Sequence, residues 1–157
     1  MFKTVMWATD GTANADRALS YAKALAAQPG ARLIIVHVIE RYASPTKLAV
    51  HADEERVEAK LKKLEAQLSD EGVNTSLEII NHVGPQAAHE IGDLARDSGA
   101  DLILVGCRGR AAIPGLLLGS VTQRLLHVSP CPVLVVPPGE APGSEQATRE
   151  VPDAVPS

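Results

Sequence analysis

Only two cysteines, Cys107 and Cys131, occur in 157 residues, with no CxxC pair and no Cys/His ligand spacing around either. That fits a reducing compartment and gives no zinc signal, and both residues read as spectator thiols. Aromatic residues make up 3% of the chain, so the core must be aliphatic, and the stacking platforms that hold single-stranded nucleic acid are missing. Lys and Arg number 15 against 19 Asp and Glu, a formal net charge of -4. No bulk positive field is available for nucleic acid or an anionic membrane, so any anion must be bound locally. No apolar run approaches the roughly 18 residues that cross a bilayer. Met1 to Val5 carries neither an apolar h-region nor a small-residue cleavage site, so a cytoplasmic location is expected. The five histidines, His37, His51, His82, His89 and His127, show no HxxxH or HExxH spacing. Each reads as structural or solvated, and metal binding by protein side chains is not expected.

What is present is 45% apolar and 22% charged residues, enough for one soluble globular domain. Short β-rich runs alternate with longer amphipathic stretches, the pattern of βαβ units on a parallel sheet. Lys3 to Thr9 reads as a strand that stops at Asp10-Gly11-Thr12. Ala15, Ala18, Leu19, Ala22, Leu25 and Ala26 then recur at helical spacing. Arg32 to Ile39 is nearly continuous in apolar residues, as in a strand covered on both faces and central in its sheet. From about Glu40 to His51 no period is clear, after which Val57, Leu61, Leu64 and Leu68 form one stripe of a helix with a solvated, charged opposite face. Thr75 to His82 alternates, which predicts an edge strand. A helix through Ala88, Ile91, Leu94 and Ala95 follows, then a short buried strand, Asp101 to Val105. A helix from near Gly119-Ser120 to His127 and a last strand, Pro132 to Val136, complete the order. The expectation is an α/β domain over residues 1–137. The Pro-, Gly-, Glu-, Ala- and Ser-rich segment 138–157 reads as a disordered tail.

In an open parallel sheet, ligands sit outside the carboxyl ends of the strands, where strand order reverses. Three such ends are distinctive: Thr9-Asp10-Gly11, Val38-Ile39, and Gly106 to Ser120. Gly106 and Gly109 are followed after nine residues by Gly119-Ser120. Glycines permit positive φ and leave no Cβ in the way, so backbone N–H groups can converge on phosphate oxygens. A helix beginning at Gly119 adds unpaired donors and a partial positive charge, and Ser120 adds a hydroxyl. The plainer readings are a tight turn for Gly106 and Gly109, an N-cap for Ser120, and a turn closed by Asp10. No Lys-Ser/Thr follows a GxxxxG, no GxGxxG follows the first strand, and no Ser-Gly-Gly loop stands there. P-loop, dinucleotide-binding and adenylating sites are thereby disfavoured.

Gly-x2-Gly-x9-Gly-Ser, together with Asp10-Gly11-Thr12 and Ser129-Pro130-Cys131-Pro132 before Val133 to Val136, resembles the universal stress protein family over about residues 2 to 137. The resemblance implies an open five-stranded, doubly wound parallel sheet of order 3-2-1-4-5 with helices on both faces. It implies a homodimer paired through the last strand, Val133 to Val136, and, with the glycine motif complete, ATP binding in a stress-response sensor. Carried over by position, Ala8, Thr9 and Asp10 would line the adenosine, Asp10 would accept from the ribose hydroxyls, and Val38 would meet adenine through its backbone. Val105, Gly106, Arg108, Gly109, Gly119, Ser120 and Val121 would surround ribose and phosphates, with Mg2+ or Mn2+ on the phosphates. Thr12 stands where the family often has Ser, and Cys107 fills a variable position inside the glycine pair. No residue is obviously placed to orient an attacking water. A slow ATPase or phosphotransferase, or a pocket for AMP or a cyclic nucleotide, is the alternative to a binding module.

Overall fold

The computed structural model describes residues 1–41, 47–107 and 118–138, and of 47–52 the backbone alone. The expected tail therefore lies outside the described residues except for Pro138. In chain order the elements are β1 (Thr4–Ala8), α1 (Ala13–Ala26), β2 (Arg32–Arg41), α2 (Lys47–Asp70), β3 (Thr75–Val83), α3 (Ala87–Ser98), β4 (Leu102–Gly106), α4 (Ser120–Val128) and β5 (Val133–Val136).

All strand pairs are parallel and the order is β3-β2-β1-β4-β5. Strand alternation divides the core between the two faces of this sheet. Val5, Trp7, Leu33, Ile35, Leu102 and Leu104 pack under α1 and α2, while Met6, Ala8, Ile34, Val36, Ile103 and Val105 pack under α3 and α4. The continuous apolar run of β2 is interior, as expected, and the alternating β3 is an edge. The α2 stripe buries Leu61 and Leu68 completely or nearly so; truncating either to Ala removes about 2–5 kcal/mol. Its outer face carries the expected Lys62–Glu58 pair at 2.7 Å.

Two boundaries differ from expectation. β2 continues through Glu40 and Arg41, because pairing with β3 persists to Arg41 opposite Val83. The helix anticipated near Val57 begins ten residues earlier, at Lys47; Lys47 to Arg56 contains no Gly or Pro to stop it, and the missing apolar period hid it. The chain runs outward from β1 through β2 to β3, then returns to β4 on the other side of β1. That reversal opens a crevice at the carboxyl ends of β1 and β4.

Candidate functional site

Beyond β1 the ladder continues one step, with Thr9 N–H donating to Val36 O at 3.0 Å. The chain then turns sharply. Gly11 N–H donates to Thr9 Oγ1 at 3.0 Å, and Thr12 N–H and Oγ1–H donate to Asp10 Oδ1 at 3.0 and 2.6 Å. The plain reading of Asp10 as a turn-closing residue is therefore correct for this oxygen. Gly11 is at φ +81°, and a Cβ there would stand 2.7 Å from both Val57 methyl carbons. Only glycine satisfies both conditions. Thr12 precedes α1 as its N-cap residue but makes no side-chain cap, its hydroxyl being turned to Asp10. The buried Trp7 indole N–H donates to Ala15 O at 3.0 Å and pins the first turn of α1 to β1.

On the other side of the crevice β4 ends at Gly106. A Cβ on Gly106 would lie 2.8 Å from Asn14 O and 3.2 Å from Ala15 Cα. Of the two freedoms glycine offers, Gly106 uses the missing Cβ, which leaves room for the start of α1. Gly106 is not at positive φ, and Gly119 is at φ -69°. The segment is anchored at both ends: Cys107 N–H donates to Val136 O at 2.9 Å, and Gly119 N–H donates to Cys107 O at 2.7 Å. The buried Thr122 hydroxyl donates to Gly106 O at 2.9 Å. These bonds set the N-terminus of α4 directly against the end of β4.

The crevice thus brings together Ala8, Thr9 and Asp10, the half-buried Val38 of β2, Val105 and Gly106, and Gly119, Ser120 and Val121 at the start of α4. Arg108 and Gly109 lie outside the described residues. Ser120 is exposed, and Val121 is 36% exposed. Helix α3 also starts at this edge, but its first amide, Ala87 N–H, donates to Glu40 Oε1 at 2.9 Å. Among the described residues no carboxylate is bonded to the first amides of α4.

Three groups escaped the sequence reading. Thr122 could have been suspected as a polar residue in the first turn of a helix whose inner face is apolar. His37, read as structural or solvated, is structural: it is 2% exposed, with both ring nitrogens bonded; its partner Glu54, on α2, carried no signal. Of the thiols, Cys107 is buried, and burial pushes the Cys131 thiol up despite a hydrogen bond with Ser129 that lowers it, which suits a spectator. Away from the crevice, an apolar hollow of about 280 Å³ is lined by Met1, Phe2, Leu25 and Gln28.

Residues 1–137 match the model of the universal stress protein family. A universal stress protein of Thermus aquaticus is 37% identical over 138 residues, 87% of this chain and 99% of the relative. One of Synechocystis is 34% identical over 139 residues, 87% of each chain. Among solved structures, UspA from Lactobacillus plantarum superposes with TM-score 0.71 at 21% identity, covering 85% of this chain and 97% of that one, and so bears on the fold alone. A universal stress protein solved in complex with cAMP is 29% identical, with TM-score 0.55, covering 86% of this chain and 96% of its own. A reversal-point crevice, the sheet order and this extent of matching lead to one assignment: the chain belongs to the universal stress protein family.

Proposed function

We propose that this protein binds an adenine nucleotide, ATP by preference, in the crevice between β1 and β4, and acts as a dimeric cytoplasmic sensor or regulatory module of the stress response rather than as an enzyme. The observation that carries this reading is the junction of β4 and α4. A helix N-terminus, fixed by the Gly119 and Thr122 bonds, opens beside the Asp10 turn with no carboxylate on it among the described residues. Such a terminus offers unpaired N–H donors and a partial positive charge to phosphate oxygens.

In this reading Ala8, Thr9 and Asp10 line the adenosine, and the Asp10 carboxylate accepts from the ribose hydroxyls. Val38 meets adenine through its backbone. Val105, Gly106, Arg108, Gly109, Gly119, Ser120 and Val121 surround ribose and phosphates. Mg2+ or Mn2+, when bound, neutralises phosphate charge; among the described residues no group of three His, Cys, Asp or Glu side chains is gathered to hold an ion, so the phosphates supply its ligands. Among the described residues β5 is a sheet edge paired only with β4, and Leu134 on it is 39% exposed. An apolar edge of this kind invites pairing, and we assign it to a second copy. A cyclic nucleotide is the second reading, favoured by the cAMP complex of the 29%-identical relative.

The test is calorimetric titration with ATP, AMP and cyclic AMP, with and without magnesium, on wild type and Gly119→Asp. Gly119 sits at φ -69° and ψ 157°, a backbone conformation that any residue adopts, and Asp is a favourable N-cap, so α4 should be retained, which circular dichroism checks. Its carboxylate would meet the phosphates. Two unit charges in contact near a surface repel by roughly 4 kcal/mol, so ATP affinity falls by at least about 100-fold. Equal ATP affinity in both proteins overturns the site, and preference for cyclic AMP selects the second reading.

A further inference from the structure

His37 stands on β2 beside the crevice, on the face covered by α1 and α2, and is 2% exposed. Its Nδ1 is 2.9 Å from Thr9 O and its Nε2 is 2.8 Å from Glu54 Oε2. A carbonyl oxygen only accepts, so Nδ1 carries the hydrogen and donates it to Thr9. Nε2 and the carboxyl group of Glu54 are then joined through one shared hydrogen. The ring therefore spans from α2 to the backbone of the residue that opens the Asp10 turn.

Glu54 is not the only α2 residue to reach this turn. Val57, one helical turn on, lies where any side chain at position 11 would be, and Lys60 pairs with Asp16 of α1 at 2.6 Å. Glu54, Val57 and Lys60 recur at three-residue spacing and share a side of the helix. The turn, although local in sequence, is held from outside. Of these contacts only the one through His37 is a buried polar bond to the turn's own backbone, and such a bond fixes direction as well as distance.

We propose that His37 is a positioning residue of the nucleotide site: its ring, braced by Glu54, fixes the Thr9 carbonyl and thereby sets where Asp10 presents its carboxylate to the ligand. This rests on the nucleotide reading above. His37 itself touches no ligand in this account, its ring being enclosed between Thr9 and α2.

Two near-isosteric substitutions separate the ring's two bonds. In His37→Asn the amide nitrogen falls near the Nδ1 position and can still donate to Thr9. In His37→Gln it falls near Nε2, keeps Glu54 and abandons Thr9. ATP titration on the intact chain should find His37→Asn within about threefold of wild type and His37→Gln weaker by about tenfold, the typical net worth of one buried hydrogen bond. Rescue by Asn but not Gln is not expected of a residue that only fills space, for which Gln, nearer in volume, is the better replacement. If His37→Gln does not fold, Glu54→Ala carries the test; it keeps the ring, removes its brace and should weaken ATP by about threefold. Wild-type affinity in His37→Gln or in Glu54→Ala overturns the role, as does equal loss in His37→Asn and His37→Gln. If wild type binds no nucleotide, the nucleotide reading has failed and the role falls with it. If wild type binds and every variant binds equally, the reading stands and the role alone is lost.

Discussion

Helices α3 and α4 pack on the same face of the sheet, contact each other near Gly92 and Val128, and both start at its carboxyl edge. Their first amides are treated in opposite ways. α3 has a carboxylate supplied by the protein, Glu40 from the end of β2, on Ala87 N–H. α4 has a glycine at its N-cap, and among the described residues Gly119 N–H donates to Cys107 O and the Thr122 hydroxyl to Gly106 O, bonds that set the helix against the end of β4 with no carboxylate on its first amides. A helix N-terminus is an anion site by default. In this fold one such terminus carries a carboxylate of the protein, whereas among the described residues the other carries none, and the nucleotide reading rests on that contrast.

The largest expected effect comes from attacking the open side through its packing. In Gly106→Val the new Cβ would lie 2.8 Å from Asn14 O, a backbone atom that cannot rotate away. Overpacking of this kind costs about 3 kcal/mol, measurable as a shift in urea midpoint at unchanged slope. Because Gly106 O also accepts from Thr122, displacement of α1 reaches the start of α4, and ATP binding should be lost with the stability. Hydrogen exchange at Ala87, under Glu40, should change only in step with global stability. If Gly106→Val leaves both stability and ATP binding intact, the two sides of the edge are not as differently built as their contacts indicate.

Much of this arrangement was legible before any coordinates. Continuous apolar character placed β2 inside the sheet, alternation placed β3 at its edge, and Gly119-Ser120 marked the start of α4. These are signals of period two, of period 3.6 and of turn chemistry, and they are local. What stayed hidden depends on pairing between distant residues. Glu40 reaches Ala87 across 47 positions and Glu54 reaches His37 across 17, and no periodicity encodes either. Gly106 drew notice as a glycine that would leave no Cβ in the way of a phosphate; the close approach of Asn14 to it belongs to the packing of α1, which no local pattern encodes. The first ten residues of α2 were missed because their helix carries no apolar stripe for a window to detect.

A smaller effect tests the occupied helix. Glu40→Ala removes the acceptor from Ala87 N–H and the negative charge from the α3 dipole, for a loss of about 1 kcal/mol. Glu40→Gln, which keeps an oxygen but not the charge, should lose about half of that. Neither change touches α4, so ATP affinity should stay within about twofold of wild type, as for separated sites. A tenfold loss would show that the α3 terminus belongs to the ligand site after all.

The smallest effect lies at the opposite edge, where Asp101 does for the start of β1 what Glu40 does for α3. Its carboxylate accepts from Lys3 N–H at 2.7 Å and Thr4 N–H at 2.8 Å. These bonds, Thr4 first and then Lys3, hold its carboxyl below the usual carboxylate range. A folded-state value below the unfolded one means the contribution is complete above the usual range, near pH 4, and disappears as pH falls through the lowered value. Asp101→Asn should therefore lower stability slightly at neutral pH and flatten the acid limb of the stability profile. Since Asp101 is at the amino edge, nucleotide affinity at neutral pH should not respond. Acid titration of wild type beside Asp101→Asn then separates the weakening of β1's start from any loss of binding at the carboxyl edge. An acid limb with the same slope in both proteins would mean that the groups releasing the sheet at low pH lie elsewhere, with Glu71, held down chiefly by its bond to Lys23, the next carboxylate to replace.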